Sequence, residues 1–135
     1  MKFRKGYKYQ LAEDYTYADV IRIVPMTDIK IEFIRLDMDG VLTIKAGYAW
    51  DGASGPTVDT KNSIRGSLVH DVYYQLIRQK HLHQGLREKA DLVFRSILLR
   101  DGMSRFRAWV WYRSVSKHAG SAADPKNVKK VYEAP

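Results

Sequence analysis

His70, Asp71 and Tyr74 stand together in the stretch Leu68-Val69-His70-Asp71-Val72-Tyr73-Tyr74. An imidazole titrates near neutral pH, so His70 is suited to act as a general base. On a helix turning about 100° per residue, Gly66, His70, Tyr74 and Ile77 fall on one side. Asp71 is rotated away from His70, and adjacent helical residues do not face each other. Asp71 therefore does not orient the imidazole and is better fitted to a separate task, such as holding a cation. Asp91 borders an apolar stripe of Leu86, Ala90, Val93, Phe94 and Ile97, and a carboxylate in that setting needs a partner. If the two helices run antiparallel, Asp91 accepts the ring N–H of His70 and fixes its tautomer, which makes a base and its orienter. Tyr73 or Tyr74 can donate to the same carboxylate.

A glycine-rich loop, Trp50-Asp51-Gly52-Ala53-Ser54-Gly55-Pro56, precedes this helix. Its glycines permit backbone angles that turn carbonyls inward. Carbonyls together with the Asp51 and Asp71 carboxylates would form an oxygen-only site of the kind that suits Ca²⁺. Each piece also has a plain structural reading: a lone histidine is commonly a satisfied core residue, and Asp-Gly is commonly a turn. His81 and His83 sit two apart in a connector, with no His-Glu-x-x-His pattern, which argues against a zinc hydrolase. There is no glycine motif for phosphate binding.

The elements that must position these residues are legible from periodicity. Residues 7–11 and 29–36 alternate at period two and read as strands. Asp37-Met38-Asp39-Gly40 is a turn signal leading into a further strand at 41–45; residues 15–24 are ambiguous between strand and loop. Glycines and Pro56 break regular structure over 47–62. Three helices follow, over about 63–78 with Asn62 or Ser63 as N-cap, about 86–100 ending at Asp101-Gly102, and from Ser104 to about residue 117. The expected fold is α+β: an N-terminal antiparallel sheet or hairpins, then three helices, the first two an antiparallel pair. One domain spans 1–120, strand-rich over 1–46, loop over 47–62 and helical over 63–120, and a basic, loosely held tail follows over 121–135.

In the third helix, Ala108, Trp111, Tyr112 and Val115 form a core stripe. Phe106, Trp109, Val110, Arg113 and Lys117 lie opposite. Aromatic residues beside cations suit a lipid surface or single-stranded nucleic acid, with Trp109, Arg113 and Lys117 as the contacts. Alternatively, the helix is sandwiched between sheet and helices, with the long cations snorkelling outward.

The chain of 135 residues contains no cysteine, which excludes disulfides and thiolate chemistry. No apolar run approaches a membrane span, and the basic N-terminus lacks the apolar segment of a signal peptide. The net charge of +8 is uneven. Residues 1–60 carry eight Lys or Arg against nine Asp or Glu, and residues 61–135 carry fifteen against six. A basic half suits an anionic partner, phospholipid before nucleic acid, or another protein; it also serves solubility.

The order Asp51-Gly52-Ala53-Ser54-Gly55-Pro56, then Leu68-Val69-His70-Asp71-x-x-Tyr74, then Ala90-Asp91-x-x-Phe94 resembles a family of uncharacterised phage and prophage proteins that share a domain of unknown function. The resemblance covers about residues 40–120 and implies a place in the bacterial host cytoplasm or in the virion, including its tail. The same skeleton is similar to the active site of phospholipase A2, where an Asp-Gly loop precedes a helix bearing His-Asp-x-x-Tyr and a second helix carries Asp. That resemblance implies His70 as the base, Asp71, Asp51 and the Gly52 carbonyl as Ca²⁺ ligands, Asp91 as the orienter and Tyr74 as its support. Ala53 and Val69 stand where those enzymes place cysteines, and the strand-rich first half is not typical of them. The expectations are a calcium-dependent ester hydrolase, or a descendant with the His-Asp site retained. The alternatives are a non-catalytic virion or accessory protein that uses the same residues structurally, and a basic factor that binds nucleic acid or a host protein.

Overall fold

A computed structural model describes residues 1, 3–4, 9–50 and 61–118. The chain is α+β, with antiparallel strands followed by three helices, as the sequence pattern predicts. It divides into two compact units, a strand unit and a helical unit.

The strand unit holds two antiparallel sheets. β1 (Phe3–Arg4), β2 (Tyr9–Leu11) and β7 (Ala49–Trp50) form a three-stranded sheet in the order β1-β2-β7. β3 (Tyr15–Tyr17), β4 (Ile29–Ile31), β5 (Ile34–Leu36) and β6 (Leu42–Ile44) form a four-stranded sheet in the order β3-β6-β5-β4. The register stacks Ile34 on Ile44 and Leu36 on Leu42, all four fully buried, while Arg35 and Thr43 point to the other face. This is the period-two pattern expressed as one buried face.

The long strand expected over 29–36 is two strands. Ile31 pairs with Ile34, so Glu32 and Phe33 form a two-residue turn, and β4 folds back on β5. Such a turn inverts the alternation, because the paired Ile31 and Ile34 are an odd number of residues apart, and the sequence carries that inversion as the adjacent apolar pair Phe33-Ile34. The Asp37–Gly40 turn forms as predicted, with the Gly40 N–H donating to the Asp37 carbonyl at 2.9 Å. The ambiguous stretch resolves into β3 and a connecting segment, tied down where the Tyr17 hydroxyl donates to the Ile21 carbonyl at 2.6 Å. Part of the predicted loop, Ala49–Trp50, is strand; residues 51–60 lie outside the described residues, as does the tail beyond residue 118.

The helical unit comprises α1 (Ile64–Arg78), α2 (Arg87–Arg100) and α3 (Arg105–His118). A 3₁₀ turn at Lys61–Ser63 leads into α1, and Ser63 makes no side-chain cap bond. Leu86, expected on the α2 stripe, sits half-buried in the 3₁₀ turn Gln84–Leu86. The stripe that packs is Ala90, Val93, Phe94, Ile97 and Leu98. α1 and α2 run antiparallel. Arg65 at the start of α1 clasps Asp101 beyond the end of α2, with contacts of 2.8 to 3.1 Å. α3 packs on α2, also antiparallel: Phe94 lies against Trp111, with centroids 6.3 Å apart, and Arg95 against Tyr112.

Both turns between helices are closed by paired bonds to the last helical carbonyls. At α2, Met103 N–H reaches the Leu98 carbonyl and Gly102 N–H the Leu99 carbonyl, with Gly102 at φ 93°. At α1, His81 N–H reaches the Leu76 carbonyl and Lys80 N–H the Ile77 carbonyl, with Lys80 at φ 66°. The second motif thus places a lysine where glycine is the relaxed choice. α3 starts on the predicted cap, the Ser104 hydroxyl accepting from Arg107 N–H at 3.2 Å.

Candidate active site

The site is built on α1 and α2. The four-residue spacing of Gly66, His70 and Tyr74 places all three on the α1 face that meets α2. Gly66 allows the close approach: a Cβ there would lie 3.2 Å from both Leu98 and the Phe94 ring. One turn on, His70 Nε2–H donates to Asp91 Oδ1 at 2.7 Å. After another turn, the Tyr74 hydroxyl donates to the same oxygen, also at 2.7 Å. The second carboxylate oxygen, Oδ2, accepts from the Ser116 hydroxyl of α3 at 3.1 Å. Asp91 is thus held by donors from both neighbouring helices.

The network is dry. His70 and Asp91 are 5% and 4% exposed, a burial that a carboxylate tolerates only with several donors. The imidazole lies between two rings, with centroids 4.2 Å from Tyr74 and 5.1 Å from Phe94. With Trp111 behind Phe94, these rings fix the imidazole plane. Burial pushes the Tyr74 hydroxyl well above the usual phenol range. The hydrogen bond to the Asp91 carboxylate adds to the rise, and the Arg87 guanidinium opposes it. Tyr74 is therefore a neutral donor, matched to an acceptor-only carboxylate.

Because Nε2 carries its proton toward Asp91, a neutral His70 has its lone pair on Nδ1. Among the described residues none hydrogen-bonds Nδ1. Chemically, the arrangement is an oriented imidazole with one nitrogen available to take a proton.

The sequence-predicted residues divide cleanly. His70, Asp91 and Tyr74 come together, and Tyr74 rather than Tyr73 makes the bond to Asp91. Asp71, half-buried, is turned away from that cluster as the helical spacing requires. Asp51 and Gly52 lie outside the described residues. Of the three expected calcium ligands, Asp71 alone is among the described residues. No group of three or more His, Cys, Asp or Glu among them is arranged to hold a metal ion, and Asp91 has both oxygens engaged by protein donors. Trp109, Arg113 and Lys117 are on the exposed side of α3, so the expectation of a sandwiched third helix is overturned: Phe106 is 73% and Trp109 49% exposed. His81 and His83 are exposed, and His83 Nδ1 accepts from Gly85 N–H within its own turn.

Two participants escaped the sequence reading. Ser116 carries no motif, although a carboxylate already expected to bind His and Tyr through one edge needs a donor for the other. Arg87, one turn before Asp91, brings its positive charge to bear on the Tyr74 hydroxyl; that spacing was the available signal.

An α+β chain whose antiparallel helices bury a His-Asp-Tyr network defines the class. The chain belongs to the family described as "Protein of unknown function (DUF1353)", which matches residues 27–115. His70, Tyr74 and Asp91 fall within that span, and Ser116 lies one residue past it. Comparison with curated proteins and with solved structures gave no match. Among the described residues no helix is long and apolar enough to cross a membrane.

Proposed function

We propose that this protein is a hydrolase in which His70 Nδ1 takes a proton from a water as that water attacks an ester carbonyl. The observation that supports it most is the bond from His70 Nε2–H to Asp91, which directs the basic lone pair to the opposite side of the ring. Asp91 is a positioning residue that holds the tautomer and stabilises the imidazolium formed as the proton moves. Tyr74 and Ser116 keep Asp91 from rotating. In the same reading, Asp71 contributes to a Ca²⁺ site with Asp51 and the Gly52 carbonyl, and the cation would stabilise the developing oxyanion. The similarity of the motif order to phospholipase A2 favours a phospholipid ester. Its similarity to phage and prophage proteins favours a phage-encoded chain acting in the host cytoplasm or the virion.

The experiment is hydrolysis of phospholipid vesicles and simple esters, with Ca²⁺ or a chelator, by wild type and by His70→Ala. A loss of at least about 100-fold in His70→Ala is expected for a general base, and chelation should also suppress the rate. No hydrolysis by the wild type, or equal rates in the variant, rules the proposal out.

The burial of the pair favours a second reading, a non-catalytic strut that locks three helices. It predicts that His70→Ala lowers stability by about 1–3 kcal/mol, as for a broken buried bond, in a protein with no hydrolytic activity to lose.

A further inference from the structure

The outer face of α3 plays no part in the network. Trp111 packs toward α2, with Ala108 and Val115 buried beside it. About 180° around the helix, Phe106, Trp109 and Val110 are 73%, 49% and 37% exposed. Arg105, Arg107, Arg113 and Lys117 are exposed around them, and the helix contains no Asp or Glu. Exposed aromatic rings within an all-cationic frame, on a convex surface, indicate a partner that is both anionic and able to receive apolar groups.

We propose that this face docks on the surface of an anionic phospholipid bilayer. Phe106 and Trp109 settle at the headgroup boundary, and Arg105, Arg107, Arg113 and Lys117 lie over the lipid phosphates. Two observations favour lipid over single-stranded nucleic acid. The Arg113 guanidinium sits 5.8 Å from the centroid over one face of the Trp109 ring and competes there with a stacking base. The aliphatic Val110 beside it offers no stacking surface, and a base-binding groove is absent from a single convex helix face. The indole edge and the Phe106 ring remain free to enter the headgroup region, where amphipathic aromatics reside. The inference does not depend on hydrolysis, because it uses none of the residues of the His70 network.

The test is co-sedimentation of the full chain with phosphatidylcholine vesicles and with vesicles containing phosphatidylglycerol. Partitioning onto the anionic vesicles should exceed that onto neutral ones by about tenfold or more, given attraction by several cations. Phe106→Ala with Trp109→Ala, and separately Arg113→Glu with Lys117→Glu, should each lower the anionic binding by about tenfold while leaving the melting temperature unchanged, since these side chains are exposed. Lys30→Glu, an exposed residue of β4, should bind as wild type. The proposal is overturned if the wild type fails to bind anionic vesicles or binds both kinds equally. It is also overturned if either α3 double variant binds as wild type, or if the α3 changes abolish binding to a single-stranded oligonucleotide or self-association instead of vesicle binding.

Discussion

At the scale of single residues, the chemistry rests on where three protons point. Asp91 accepts from His70, Tyr74 and Ser116. Tyr74→Phe removes one donor and leaves the ring in place. It should lower stability by about 1.5–3 kcal/mol, the range for a hydrogen bond to a charged group, as measured by denaturant unfolding. The pH dependence has a definite sign. The folded-state pKa of Tyr74 is raised by burial and by Asp91, so its stabilising effect is full below the pH near 10 at which an unfolded-chain tyrosine ionises. That contribution is lost as the pH climbs through the higher folded value. The stability gap between wild type and Tyr74→Phe should therefore hold at neutral pH and close in strong alkali. A tyrosinate absorbance titration of the folded proteins should show the same ionisation near pH 10 in wild type and in Tyr74→Phe, because Tyr74 stays protonated there. The partnership of His70, Tyr74 and Asp91 was legible in the sequence because helical spacing and the needs of a bordering carboxylate both pointed to it. Ser116 was not, because a serine beside a core stripe has no periodic signature.

At the scale of elements, the helices were read well because their stops are written in side-chain chemistry. Gly102 ends α2 and Ser104 caps α3, as expected. The end of α1 uses the same closing bonds with Lys80 in the left-handed region, and a lysine gives no such signal. Lys80→Gly should relieve that conformation and raise stability by about 0.5–1 kcal/mol, seen as a higher melting temperature. Gly66 presents the opposite case. Alanine there would gain about 1 kcal/mol in helix propensity. Its Cβ would also press on the Phe94 ring, which is fully buried between His70 and Trp111 and has little room to yield. Overpacking costs about 1–3 kcal/mol, so Gly66→Ala should be net destabilising and should weaken whatever activity depends on the imidazole plane. The strands were read less well. Continued alternation from Ile29 would put Arg35 on the buried face, where Ile34 and Leu36 stand instead; the slip at Phe33-Ile34 marks the β4–β5 hairpin, and a reading that passes over it merges the two strands into one.

At the scale of the whole molecule, the uneven charge was visible in the sequence, but its use was not. Composition alone cannot separate a solvated basic face from a docking surface. The distinction came from exposure, with Phe106 and Trp109 left outward among cations once α3 had packed against α2. Because that attraction is electrostatic over a surface, raising the ionic strength should weaken vesicle binding progressively, as read by sedimentation across a salt series. A salt-independent affinity would mean the cations take no part.

The central claim is that Asp91 fixes His70 with its proton on Nε2 and its lone pair on Nδ1. The most direct measurement is ¹⁵N NMR of the His70 ring in the intact protein, at a pH where the imidazole is neutral. The account predicts a protonated Nε2 and a bare Nδ1 in the wild type, with that preference weakened in Asp91→Asn. A wild-type ring protonated on Nδ1 instead would contradict it.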